Sequence, residues 1–239
     1  MCYIGTLLLF FGCRKCLKTA KENQDKHVIA KKSPLYEDEY VTVYPASQPS
    51  MNVDLLITPK QSIPTLQHVE EQHIPIFGRM LTVAKKLAKE NNCTIGYQLL
   101  IQDQDSDQAV DGLYMRLQTN KSGRPNPRKK SDTTFMKIVN REAPADIIFQ
   151  DKWVTAFASN SEKGANGQIR KLIVPNKLIP TVNDVQPEDE DMLGRMFIVA
   201  KQIAQQKNFL QNYELYIYCN ECKQAVYHLH VHLNSKGKI

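Results

Sequence analysis

Residues 226–235 read VYHLHVHLNS. Three of the chain's six histidines, His228, His230 and His232, fall here at alternate positions. On an extended strand, alternate side chains share a face and repeat about every 6.6 Å. The spacing predicts a strand with three imidazoles on one face. Leu229, Val231 and Leu233 would line the other, where a helix can cover them. Each imidazole titrates near neutral pH, so a row of three points to chemistry rather than to an inert surface.

Working outward, the chain repeats itself. ITPKQSIPT (57–65) returns as IVPNKLIPT (173–181), GRMLTVAKKLA (78–88) as GRMFIVAKQIA (194–204), and YQLLI (97–101) as YELYI (213–217). Each pair is offset by 116 residues, and 17 of 46 positions from Ile57 to Gln102 are identical. Farther upstream, YEDEYVT (36–42) matches FQDKWVT (149–155) at an offset of 113. Two copies of one unit follow, and repeats of this kind organise everything else in a fold.

Within each unit the pattern is strand-rich, then helical, then strand-rich. Pro187 can open a helix whose first turn carries Glu188, Asp189, Glu190 and Asp191, matching the positive end of its dipole. Met192, Met196, Val199 and Ile203 recur at helical spacing, as do Phe77, Met80, Ala84 and Leu87 after Pro75. The expected class is α+β, with helices segregated from an antiparallel sheet. The predicted organisation is an apolar then basic N-terminal segment (1–32), a first unit (33–118), a linker (119–133) rich in Gly, Pro, Ser and basic residues, and a second unit (134–239).

Composition sets limits. Hydrophobic residues are 42% and charged residues 23%, ordinary for a globular chain. The net charge of +6 is modest and partly local, so no nucleic-acid partner is expected. The N-terminal stretch MCYIGTLLLFFGC is shorter than the roughly 20 residues of a spanning helix, and its charges follow it, unlike a secretory signal. An anchoring or targeting role, toward a membrane or a larger complex, is preferred there to core packing. Four of the six cysteines form CRKC and CNEC, which suggests reduced thiols or metal rather than a secreted disulfide scaffold. The expected compartment is reducing, cytoplasmic or organellar with mitochondria among the alternatives, and not secretory.

Two chemistries fit the histidines. Cys219 and Cys222 with H-x-H-x-H offer metal ligands, although the spacing is too short for an ordinary zinc finger. Alternatively, a neutral imidazole attacks phosphorus while its neighbours orient it and share protons.

The second reading coincides with a resemblance. YHLHVHL resembles the H-φ-H-φ-H-φ-φ signature of the histidine triad (HIT) superfamily. FMKIVNREAPADIIFQDKWVTAF, LIVPNKLIPTVNDV, LGRMFIVAKQIA and QAVYHLHVHL together resemble the bacterial histidine triad nucleotide-binding proteins, which are purine nucleoside phosphoramidases. The likeness covers about residues 134–234 and extends more weakly, through the repeat, to the first unit.

The resemblance implies units with a five-stranded antiparallel sheet and two helices, normally paired as a homodimer. A tandem copy would build that pair within one chain, as a pseudo-dimer. It implies His230 as nucleophile, with His228 and His232 orienting it, no cofactor, and a purine nucleotide or nucleoside phosphoramidate as substrate. Gln224, Lys223, Asn220, Ser159 and Arg170 fall at or near substrate-binding positions. The pattern is departed from at several points. Ala225 stands where the family has serine, Cys222 and Lys223 where it has paired glycines, Tyr218 or Ile217 where it has asparagine, and Arg170 where it has histidine. A residue near Ser159 replaces the ribose-binding acid. In the first unit the triad positions are Gly112, Tyr114 and Arg116, which cannot supply a nucleophile. The expected function is a weak or narrow nucleotide hydrolase. The alternatives are a catalytically impaired structural subunit and, behind both, a zinc protein.

Overall fold

The computed structural model describes residues 33–46, 49–94, 96–103, 110, 112–119, 134–159, 169–220 and 224–236. The N-terminal segment, most of the linker and the SEKGANG stretch lie outside them.

The first half contributes β1 (Tyr36–Glu37), β2 (Val41–Pro45), β3 (Val53–Pro59), α1 (Ile74–Glu90), β4 (Gly96–Gln102) and β5 (Tyr114–Thr119). The second contributes α2 (Thr134–Val139), β6 (Ile147–Gln150), β7 (Val154–Ala158), β8 (Arg170–Pro175), α3 (Glu190–Gln206), β9 (Tyr213–Asn220) and β10 (Val231–Ser235). All ten strands join one antiparallel sheet in the order β1-β2-β3-β5-β4-β9-β10-β8-β7-β6. The order reads the same from either edge once each strand is replaced by its counterpart in the other half. At the central seam between β4 and β9, Leu100 pairs with Tyr216, its own counterpart 116 residues on.

The helical repeats form as the pattern predicts. A 3-10 turn at Pro187–Asp189 leads into α3, with a capping box closed by Gln186 and Asp189. Met192, Met196, Val199 and Ile203 are buried, as are Phe77, Met80, Ala84 and Leu87 of α1. The two long helices cross on one face of the sheet, with Phe77 stacked on Phe197 at 4.7 Å. Lys85 donates to the carbonyl of Val185, and Lys201 repeats the contact with Val69. The predicted inward residues Leu229, Val231 and Leu233 belong to this helix-side core. On the opposite face, α2 covers β7 and β8 through Phe135, Ile138, Val139, Phe157, Leu172 and Val174.

Two boundaries differ from expectation. The strand predicted over the whole histidine row begins only at Val231, leaving His228 and His230 in the segment ahead of it. The reason is local competition for hydrogen bonds. Gln224 Nε2 donates to the carbonyls of Pro180 and Val226, and Leu229 N donates to Ile179 O, which ties the segment to the β8–α3 connection instead of a ladder. The linker also starts later than position 119, because Thr119 ends β5 in register with Val53 and Tyr97.

Candidate functional site

The histidines lie on the sheet face opposite the long helices. His232 stands in β10 between Tyr216 of β9 and Leu172 of β8. Its ring stacks on Tyr216 at 4.6 Å and 13°, with Tyr218 meeting it edge-on at 5.5 Å. The His230 ring is 4.7 Å from His232 and meets Phe135 edge-on at 5.3 Å. Phe135 thus brings the apolar cluster under α2 up to the histidines.

Hydrogen bonding fixes which nitrogens carry protons. His230 Nδ1 lies 2.7 Å from the carbonyl of His228. A carbonyl oxygen only accepts, so Nδ1 carries the hydrogen and Nε2 of the neutral ring keeps its lone pair. His228 Nε2 bonds the Pro175 carbonyl at 2.8 Å in the same way. That leaves His228 Nδ1 as an acceptor, buried and without a hydrogen-bond partner.

Burial keeps all three rings neutral. Desolvation pushes His228 down to about 4, with the nearby His230 adding to the effect against the Pro175 bond. Desolvation likewise pushes His232 down to about 3, assisted by His230 and by the charge of Arg170. His230 is lowered by its burial, partly offset by the His228 carbonyl. The arrangement therefore offers an unprotonated, oriented imidazole nitrogen at neutral pH, which is the state a nucleophile needs.

Of the other expected site residues, Arg170 lies on β8 paired with Asn234, one same-face step beyond His232. Ser159 adjoins it, its N–H 3.3 Å from the Arg170 carbonyl. Gln224 is buried and acts on the backbone, as described above. Ala225 is exposed ahead of the histidines. Lys223 and Cys222 lie outside the described residues, and of Asn220 only the backbone is described. Cys219 is not brought to the histidines. Alternation along β9 turns it into the helix-side core, where it is buried, while Tyr216 and Tyr218 take the histidine face. The alternative that grouped Cys219 with the triad as metal ligands is thereby corrected. Among the described residues, no group of three or more His, Cys, Asp or Glu is placed to hold a metal ion.

Two features were not singled out from sequence. Tyr216 was legible in principle, since it alternates with Tyr218 and shares the histidine face. The other is what fills the equivalent place in the first half. Arg116, the counterpart of His232, grips Asp54 with two bonds of 2.7 and 2.9 Å. Asp54 also accepts from Ser50 and Gln118, and its side chain is fully buried. Burial raises the Asp54 carboxyl, but these donors outweigh it and hold it below the usual range. Gly112, the counterpart of His228, has φ +86°, and a Cβ there would stand 2.8 Å from the Ile63 carbonyl. Among the described residues the first half has no imidazole at these three positions.

A family model described as "Scavenger mRNA decapping enzyme C-term binding" matches residues 17–108 and 132–238. The "Purine nucleoside phosphoramidase" of Escherichia coli (strain K12) is 47% identical over 104 residues, covering 43% of this chain and 85% of that protein. An "Uncharacterized HIT-like protein" of Buchnera aphidicola subsp. Acyrthosiphon pisum is 36% identical over 112 residues, covering 46% of this chain and 96% of that one. The solved structure of a uridylyltransferase mutant is only 12% identical, yet it covers 87% of this chain and 79% of its own with a TM-score of 0.59. That likeness is one of fold, and it spans both halves.

Proposed function

The chain belongs to the scavenger mRNA decapping enzyme C-terminal binding family and the histidine triad superfamily, and on that footing we propose that it is a nucleotide-binding hydrolase with one working centre at His230. The observation that carries this reading is the bond from His230 Nδ1 to the His228 carbonyl, which leaves Nε2 unprotonated. Nε2 attacks the α-phosphorus of a purine nucleoside phosphoramidate or related nucleotide. The P–N bond to the leaving amine breaks, its electron pair stays on the amine nitrogen, which takes a proton from solvent water, and a nucleotidyl-histidine forms with Nδ1–H still held by the carbonyl. Water then attacks phosphorus, the P–N pair returns to Nε2, and the nucleoside monophosphate departs as the water's proton passes to solvent.

Phe135, whose ring meets His230 edge-on, is the apolar side chain beside the nucleophile that a purine base would pack against. His228 and His232 orient the nucleophile. The two halves are one duplicated module joined at β4 and β9 as an intrachain pseudo-dimer, residues 33–118 and 134–239. The first half serves as scaffold, since Arg116 and Asp54 neutralise each other where a second centre would lie. Residues 1–32 are an attachment or targeting segment, and the compartment is reducing. The filled first site and Ala225 favour a second reading, an impaired enzyme acting as a subunit of a larger assembly.

Incubation with adenosine 5′-phosphoramidate separates the two. Turnover by the wild type and its loss in His230→Ala supports the hydrolase. No rate above background in either protein, with adenosine 5′-phosphoramidate or dinucleoside polyphosphates, removes it.

A further inference from the structure

Two of the three imidazoles are anchored by hydrogen bonds, His228 to the Pro175 carbonyl and His230 to the His228 carbonyl. The His232 ring makes no hydrogen bond among the described residues. Aromatic contact fixes its plane instead. The Tyr216 ring lies almost parallel to it, at 13° with centroids 4.6 Å apart, and Tyr218 closes on its edge at 5.5 Å and 67°. Parallel and edge-to-face contacts are the two arrangements that aromatic rings favour. Tyr216 is itself held in place. Its hydroxyl accepts a 3.0 Å bond from Asn234 Nδ2, the next residue after His232 on that face of β10.

The first half shows what the sheet alone requires here. At the 116-residue offset, the facing pair Tyr216 and His232 becomes Leu100 and Arg116, which face each other in β4 and β5. Strand pairing is kept with leucine in the place of tyrosine. The phenol ring stands where its neighbour is an imidazole, and leucine stands where that neighbour is a guanidinium held by Asp54.

Stacking also spares the nitrogens. A carbonyl would take one ring N–H, as happens at His228 and His230. A parallel ring constrains the face of His232 and leaves both rim nitrogens unclaimed, one a donor and one an acceptor in the neutral ring. That ring lies 4.7 Å from the ring of His230.

We propose that Tyr216 is a positioning residue: by stacking, it holds the His232 ring in the plane from which its unclaimed nitrogens meet the group transferred to His230. The proposal rests on the hydrolase reading above and adds a residue to it.

The test compares wild type, Tyr216→Leu and Tyr216→Phe as full chains. Leucine is what the first half carries at this position, so the sheet accepts it. One readout is steady-state kinetics with adenosine 5′-phosphoramidate. The other is the carbon-bound ring proton resonances of His232, assigned by their loss in His232→Gln. Tyr216→Leu should lower kcat about tenfold to a hundredfold with KM within about threefold, because a misplaced ring fails the transition state more than the bound substrate. The His232 resonances should lose the upfield shift that a stacked phenol imposes. Tyr216→Phe keeps the stack, and with it the shift and most of the rate. A role in folding alone would lower the Tm and leave kcat of the folded protein intact. The proposal is overturned if kcat survives in Tyr216→Leu, if Tyr216→Phe loses as much, or if the His232 resonances stay put in Tyr216→Leu. Absence of turnover by the wild type removes the hydrolase reading instead, and the resonances alone then decide whether Tyr216 holds the ring.

Discussion

Gly194 packs directly against the main-chain carbonyl of Ile74, with no space between them for a Cβ. The relationship recurs 116 residues out of step, where Gly78 meets the carbonyl of Glu190. These glycines set how closely α1 and α3 cross. Alanine is the better helix former by about 1 kcal/mol, so propensity alone favours Gly194→Ala. The obstacle, however, is backbone, which cannot rotate aside as a side chain can. We expect the clash to win, lowering stability by about 1–3 kcal/mol. Urea denaturation measures it, and an increase in stability would show that the helices separate freely.

Stability should fall as acid reaches the histidines. His228 drops from 6.5 to about 4 and His232 from 6.5 to about 3, so the unfolded chain binds protons that the folded one refuses. Their contribution is complete above the unfolded value of 6.5 and is lost as pH falls through the interval down to about 4 and 3. His73, also lowered by burial, adds in the same direction. The depressed carboxylates Asp38, Asp54 and Asp151 act only as pH falls below their ordinary 3.8. The Tm should therefore decline between pH 6.5 and 4, and His228→Gln should flatten the decline. A flat wild-type profile across that range would contradict the burial of these rings.

Much of this was readable in the residues. The 116-residue offset predicted matching elements, and the Met and Phe spacing named the buried faces of both long helices. Alternation separated His230 and His232 from Leu229, Val231 and Leu233. The start of β10 was not readable, because Gln224 and Ile179 compete for the preceding backbone through contacts about 45 to 50 residues apart in sequence. Nor was the Asp54–Arg116 pair, which depends on the register of β3 against β5. The buried Nε of Arg170, without a hydrogen-bond partner, is likewise a fact of packing, invisible in the letter R.

The buried pair makes its own prediction. Asp54→Asn leaves Arg116, whose side chain is only 12% exposed, without its counter-charge. Removing one member of such a pair typically costs about 3–5 kcal/mol. The double variant Asp54→Leu with Arg116→Met removes both charges and should cost much less. Three strand spacings separate β5 from β10, about 14 Å, so hydrolysis at His230 should stay within about twofold in the double variant. Chemical denaturation and a phosphoramidate assay read the two effects. Equal destabilisation by the single and double changes would mean the pair is not the source.

The proton on His230 can be observed directly. Free histidine divides its single hydrogen between two tautomers, but the His228 carbonyl 2.7 Å from Nδ1 selects one. The 15N shifts of the His230 ring at pH 7 should report a protonated Nδ1 and a bare Nε2. Because burial lowers its proton affinity, that pattern should persist as pH falls below 6.5. The hydrolysis rate should accordingly show no acid limb centred on an ordinary histidine value. His230→Ala should lower the rate by about a thousandfold or more, since it removes the Nε2 that the His228 carbonyl leaves free to take the nucleotidyl group. A ring protonated at Nε2, or one titrating near 6.5, would take the nucleophile away from this position.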